Sequence, residues 1–409
     1  MKVKSLLLSM CAIAALASCS QNDDEITSVN DAPEAKVTIK FAGSGAATRA
    51  GGIGTNDAVV KDLTVFFFNA SGALIKTPQA IASQDLNTSM TLTTTTDAAS
   101  VFLAANIGGI DVSGATSIAN LKKILVSSIG TPTASDYLVT QTKDNLTMGG
   151  WGAVVMDAGG NTGTAAVALH FIAAKINSLA VTWGAANQGH YAGTEGDVVG
   201  DKWFTIKRAY LMLAQTNSPL LPAAASPTQW NGEFTPSAFA YAGGVDWATS
   251  PWGQVTPPVT PTPVLSSSYM QSTIPAEAAD AVKILNDDAS AGTVTDPWYV
   301  FENNSTNLTG VILEVVHQVK DQSTGVIANK VGYLTVYFGE KDGNTTQTKI
   351  LAGHTHAIKL TINASFDPNS GTGGGTTPDP TKPSVAADIT VAVTPAAWTA
   401  APVIEKEFN

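Results

Sequence analysis

The chain has 409 residues, 44% of them hydrophobic and only 13% charged, enough to bury a sizeable core in roughly two or three domains and too apolar for a disordered polymer. Its formal net charge of −11 argues against a nucleic-acid partner, whose phosphates would be repelled rather than neutralised.

The first residues read as an export signal. Lys2 and Lys4 supply a positive start, and Leu6 to Leu16 an apolar stretch too short to span a bilayer as a stable helix. It closes in Leu16-Ala17-Ser18-Cys19, a lipobox in which small side chains flank the cut and the Cys19 thiol takes the lipid. Cys11 lies inside the signal, so a mature chain has no thiol for a disulfide, a metal or a nucleophile. A multiply acylated Cys19 would hold the precursor on a membrane until something cuts downstream. After the acidic spacer Gln21 to Glu25, the run Val37-Thr38-Ile39-Lys40-Phe41 alternates as one β-strand, with Val37, Ile39 and Phe41 on its apolar side. Ala46-Ala47-Thr48-Arg49-Ala50-Gly51-Gly52 then offers a protease a single basic residue among small ones, with the bond between Arg49 and Ala50 as the expected cut. A strand placed between an anchor and a cut site is arranged to be removed.

From Val60 onward the pattern is β. Val65 and Phe67 alternate before an Asn69-Ala70-Ser71-Gly72 turn, Thr91 to Thr96 is a β-branched run, and Val101 to Asn106 is closed by Gly108-Gly109. Ser117 to Ser127 reads as a short amphipathic helix with Ile118, Leu121, Ile124 and Leu125 on one face. Ala165 to Trp183 reads as one long strand opening a second domain, followed by a strand from Phe204 to Leu213. Prolines 251, 257, 258, 261 and 263 forbid a central strand and predict a stiff surface loop, and Pro275 to Leu285 is expected as a second short helix. Strands follow at Trp298 to Phe301, Val311 to Val319, Val331 to Phe338 and Ile350 to Ile362. Gly371 to Pro380 is a linker by composition, yet Ile389, Val391 and Val393 alternate beyond it, followed by Trp398 and by a last short run to Phe408. Short strands separated by turn signals predict an all-β sandwich architecture rather than an α/β sheet.

Little in the chain points to chemistry. His354 and His356 share one side of a strand at ligand-compatible spacing, but no HExxH, cysteine pair or Gly-x-Ser-x-Gly elbow accompanies them. No cofactor or metal is expected, and the chain reads as a non-enzyme.

In order along the chain, these features resemble the fimbrillin family of Bacteroidales, the major stalk subunits of type V pili. The resemblance rests on the lipobox at Cys19, the basic site at Arg49, Phe67-Phe68-Asn69-Ala70-Ser71-Gly72, Leu103-Ala104-Ala105-Asn106, Met148-Gly149-Gly150, the run Val167 to Ile176, Tyr299-Val300-Phe301-Glu302-Asn303 and the terminal Ile389-Thr390-Val391 with Trp398 and Phe408. It departs from the family at His170, where arginine is common, and at Ala352-Gly353-His354-Thr355-His356, where Arg-Asn and an aromatic are common.

The resemblance implies two transthyretin-like β-sandwiches, at 50–162 and 163–370, after a signal at 1–19 and a propeptide at 20–49 and before a donor tail at 371–409. It implies an outer-membrane lipoprotein precursor cut after Arg49 by an arginine-specific protease. The strand of Val37, Ile39 and Phe41, lent to the first sandwich as an edge, then gives way to a C-terminal strand of another copy, either the one carrying Ile389, Val391 and Val393 or the last run from Val403 to Phe408, with Trp398 as a plug beside the donor. Burying four or five such side chains is worth on the order of 10 kcal/mol before backbone pairing. Head-to-tail contacts of this kind grow open filaments. The implied partners are copies of the chain in an extracellular fimbrium, accessory anchor and tip pilins, and the membrane before processing. A non-polymerising anchor or tip subunit and a monomeric glycan-binding surface lipoprotein are the alternatives.

Overall fold

The computed structural model describes residues 32–42, 59–82, 85–86, 89–127, 129–132, 136–184, 191, 204–221, 239–240, 264–265, 270–271, 274, 281–287, 295–305, 308–320, 323–342, 346–362 and 389–397. In the first half, chain order runs β1 (Glu34–Ala42), β2 (Asp62–Asn69), β3 (Gln79–Ala82), β4 (Ser89–Thr95), β5 (Ala98–Ala105), α1 (Ile118–Leu121), β6 (Leu125–Ser127), β7 (Ile129–Pro132), β8 (Asp136–Val139), β9 (Met148–Met156), β10 (Thr162–Ala168) and β11 (His170–Phe171). The second half adds β12 (Ala173–Trp183), β13 (Phe204–Met212), β14 (Ala214–Gln215), β15 (Asn217–Pro219), β16 (Phe239–Ala240), β17 (Val264–Leu265), β18 (Met270–Gln271), β19 (Ala281–Asn286), β20 (Trp298–Phe301), β21 (Gly310–Lys320), β22 (Ile327–Tyr337), β23 (Glu340–Asp342), β24 (Thr346–Lys349), β25 (His354–Ile362) and β26 (Ile389–Ala397). The fold is all-β, as expected.

The first sheet has the order β3-β2-β5-β9-β10-β1-β4, with β11 also on β9. Its centre is β2 against β5, where Val65 to Phe68 and Val101 to Ala105 are buried on successive residues because both faces of these strands are covered. Phe66 and Phe102 meet there with ring centroids 5.8 Å apart. The turn after β2 is held by Asn69, whose Oδ1 accepts from the amides of Ser71 (3.1 Å) and Ala73 (3.0 Å). β9 makes the sheet fold over itself. Its first part pairs with β5, and only Val154 to Met156 pair with β10. Beyond Ala165, β10 swings across the face of β9, where a Cβ on Gly152 or Gly150 would lie 2.6 or 2.5 Å from the carbonyl oxygens of Ala166 and Ala168.

Asn106 locks the strand ends together. Fully enclosed and at φ +56°, it accepts from the Lys61 amide through Oδ1 and donates through Nδ2 to the carbonyls of Val59 and Leu146. One side chain thus ties three segments that the sequence alone leaves unconnected.

The second half packs the sheet β19-β12-β25-β26, with β20 also on β12, against the sheet β18-β13-β21-β22. Ile176, Leu179 and Val181 of β12 share a core with Ile206, Leu211, Val311, Leu313 and Val315. β20 serves two cores by alternation: Trp298 and Val300 lie in this one, while Tyr299 and Phe301 join the first. Two strand pairs, β15 with β6 and β17 with β8, also lace the halves together.

Three expectations are corrected. The helix expected over Ser117 to Ser127 is only α1, with the Ser117 hydroxyl accepting from the Asn120 amide; Leu125 to Ser127 are instead drawn into the ladder with Asn217 to Pro219. In place of the expected second helix, Ala281 to Asn286 form β19, with Val282 and Ile284 buried along β12, while 275–280 lie outside the described residues. The run from Ala165 to Trp183 is not one strand: β10 and β11 belong to the first sheet and β12 to the other. The proline-rich 251–263 lies outside the described residues.

Candidate functional site

β1 alternates small and branched apolar residues, Ala35, Val37 and Ile39, with Lys36, Thr38 and Lys40, and the fold uses that alternation fully: the first three are buried, Val37 and Ile39 with 0% exposure. It is not an edge, contrary to expectation. It runs inside the sheet, parallel to β10 from Lys36 opposite Thr162 to Ala42 opposite Ala168, and antiparallel to β4 from Glu34 opposite Thr95 to Lys40 opposite Ser89. Phe41 stands opposite Val167 in that register. The Pro33 carbonyl accepts from the Thr96 amide at 2.9 Å, the Lys36 amide donates to the Asn161 carbonyl at 2.9 Å, and the Thr38 and Thr91 hydroxyls meet at 2.9 Å. The reason for the interior position is that β4 has no other strand beside it among the described residues and would stand unpaired without β1.

The site is therefore a two-walled slot. Its floor is the first core, which Val37 and Ile39 share with Met90, Phe66 and Val167. Sequence reasoning missed both walls. Thr91 to Thr96 was visible as a β-branched run, but nothing local pairs Val37 with Leu92 or with Gly163. Arg49 and Ala50 lie between Ala42, where β1 ends, and Val59, where the described residues resume, and so fall outside the described residues, as do Cys19, Trp398 and Phe408.

The tail strand lies elsewhere. β26 pairs antiparallel with β25 at the end of the second sheet, with Ile389, Val391 and Val393 opposite Ile362, Leu360 and Ile358. The structure thus places the first strand and the tail strand in different sheets and does not bring them together.

The histidine pair is also resolved. His356 is fully buried in β25, and burial, reinforced by the nearby His354, depresses its pKa to about 4. Burial raises the nearby Glu302 carboxyl, a rise partly opposed by the Ala352 amide it accepts from at 3.3 Å and by His354. Among the described residues no three His, Cys, Asp or Glu side chains are grouped to hold a metal. The consequence is a pH dependence. An unfolded imidazole takes its proton near its ordinary 6.5 while buried His356 resists it down to about 4, so the fold loses stability as pH falls through that window, on the order of 3 kcal/mol. Glu302 acts in the opposite sense, because its raised pKa favours the fold as pH falls. Urea denaturation at pH 7 and pH 4 is expected to show a smaller acid loss for His356→Gln than for the unmodified chain; equal losses would remove His356 as the cause.

Comparison with known proteins fits this geometry. Residues 35–201 match the family model described as major fimbrial subunit protein (FimA), beginning within β1. Residues 262–398 match the model described as FimA-like major fimbrial subunit protein, C-terminal domain. A candidate cell adhesion protein from Bacteroides eggerthii shares the fold at a TM-score of 0.57 and 24% identity, over 91% of this chain and 98% of that one. Another from Parabacteroides distasonis does so at a TM-score of 0.52 and 15% identity, over 92% of this chain and 99% of that one. No curated protein matches the sequence significantly.

Proposed function

The chain belongs to the family of FimA-like major fimbrial subunit proteins, and on that premise we propose that it polymerises into a surface filament by exchanging its first strand for the tail strand of another copy. The observation that carries this reading is the slot: β1 fills an interior position with Val37 and Ile39 fully buried, and the chain that follows it contains Arg49. Cleavage between Arg49 and Ala50 turns β1 into a separate peptide that can leave. The slot it vacates has hydrogen-bonding strands on both sides and an apolar floor, which suits an extended segment from a neighbour. The segment around Ile389, Val391 and Val393 alternates as β1 does, at the end of a glycine-rich stretch, with Trp398 and Phe408 beyond it. Lipidation at Cys19 holds the uncut precursor at the outer membrane, so that an arginine-specific protease releases and activates the subunit in one step. Anchor and tip pilins complete the filament at its ends.

A second reading, a fimbrial anchor or tip subunit that keeps its own strands, is favoured by the seating of β26 on β25 of the same chain. One experiment separates the two. Lipid-free precursor treated with a trypsin-like protease is expected to form heat-resistant, high-mass ladders. Arg49→Ala should abolish them, as should removal of the residues after Pro383. Ladders that survive both changes would refute strand exchange, and no ladders at all would favour the anchor reading.

A further inference from the structure

We infer that the parallel pair β12–β25 is the mechanical clamp through which a filament's tension crosses each subunit. The inference rests on the strand exchange proposed above, which fixes where force enters and leaves. Force enters at the slot, where a neighbour's strand lies along β10 in place of β1. β10 ends at Ala168 and the chain reaches β12 at Ala173, so a pull on β10 reaches β12 at its N-terminal end. Force leaves through the donated tail, which joins β25 at its C-terminal end, Ile362. Between these points β12 and β25 run side by side in the same direction, from Lys175 opposite Thr355 to Trp183 opposite Ile362.

Two parallel strands pulled from opposite ends slide along each other. All eight register pairs then resist together, whereas strands pulled from the same end peel one pair at a time. The distal end is further fastened: the Gly184 amide donates to the Ile362 carbonyl at 2.9 Å, and the Thr182 hydroxyl lies 2.9 Å from that of Thr361 and 3.2 Å from the Leu360 carbonyl. At the near end the Gly353 amide donates to the Ala173 carbonyl at 2.9 Å. The opposite edge of β12 is held by β20 and then β19, so β12 cannot roll out of the sheet when β25 is drawn past it. An antiparallel β12–β25 pair would place both pulled ends together and peel, which gives the parallel pairing a purpose in a fibre.

The test is single-molecule pulling on the lipid-free precursor that starts after Cys19 and so holds no native cysteine. Handles on Ala166→Cys and Asn363→Cys pull β12 and β25 from opposite ends; handles on Ala185→Cys and Asn363→Cys pull them from the same end. The first pair is expected to rupture at no less than about twice the force of the second at equal pulling speed, forced unfolding being governed by the barrier along the pulled direction. Both variants are first matched by urea midpoint, so that a folding defect is not read as weakness. Equal forces, or a stronger same-end pair, overturn the clamp whatever the protease experiment gives. A twofold contrast without protease-induced ladders shows that the pair resists shear but removes the force path that strand exchange supplies, overturning the inference through its premise alone, so the two failures are distinct.

Discussion

Truncating the two fully buried side chains of the first strand, in the precursor Val37→Ala/Ile39→Ala, is expected to cost roughly 4–7 kcal/mol of unfolding free energy. Each change removes apolar atoms from a packed core and leaves a cavity that the neighbouring β4 and β10 backbones, fixed by their ladders, cannot fill. The two sites are i and i+2 on one face, so the double variant need not equal the sum of the singles. Urea denaturation of all three variants measures this, and a double-variant loss below about 1 kcal/mol would mean that β1 is dispensable to the first core. The same slot predicts a gain in trans. A chain beginning at Ala50 lacks β1, and adding a peptide of residues Glu34–Ala42 should raise its stability with peptide concentration, by about 2.7 kcal/mol at one hundred times the dissociation constant. The Val37→Asp/Ile39→Asp peptide should give no gain, since two carboxylates would enter an apolar floor. A stabilisation by both peptides alike would show that something other than the slot binds them.

How much of this was legible in the sequence depends on how far apart the partners lie. The alternation in β1 is local, so its strand character and apolar face were readable. Its interior position was not, because Leu92 and Gly163 become its neighbours only through the tertiary fold. The tail strand repeats the lesson: Ile389 to Val393 alternate plainly, but the linker's composition gives reach and not destination, and pairing with β25 had to be seen. Apolar continuity concealed the passage from β10 to β12. Phe171 to Ile176 are all buried, Phe171, Ile172 and Ala173 in the first core and Ala174 and Ile176 in the second, so no break in burial marks where the chain changes sheets. At Ala281 to Asn286 an apolar pattern compatible with a helix was taken by the edge of β12, which offered backbone partners that a short isolated helix lacks.

A close backbone approach between the halves predicts the other large effect. At Gly149 in β9 a Cβ would lie 2.0 Å from the Leu220 carbonyl oxygen, 3.0 Å from its carbon and 3.3 Å from the Leu221 Cα. All three are backbone atoms, so no side-chain rotation relieves the clash. Leu220 and Leu221 are themselves buried in the first core, and the segment leading to them is fixed by the pairing of β15 with β6. Gly149→Ala must therefore displace either a central strand paired with Ala104 and His170 or a segment held by β15 and by its own burial in the first core, at an expected cost of about 3 kcal/mol or more. Strand propensity works the other way, since alanine loses less backbone entropy than glycine, so a loss of this size can come only from the contact. Gly114→Ala supplies the control: nothing lies within 4 Å of its Cβ position, and a change within about 0.5 kcal/mol is expected. If Gly149→Ala unfolds at the same urea concentration as Gly114→Ala, the approach of Leu220 to β9 is not what joins the halves. If it is destabilised while still gaining stability from the Glu34–Ala42 peptide in the form beginning at Ala50, then the slot and the joint between the halves are separate devices, one receiving a strand and the other holding the two sandwiches in register.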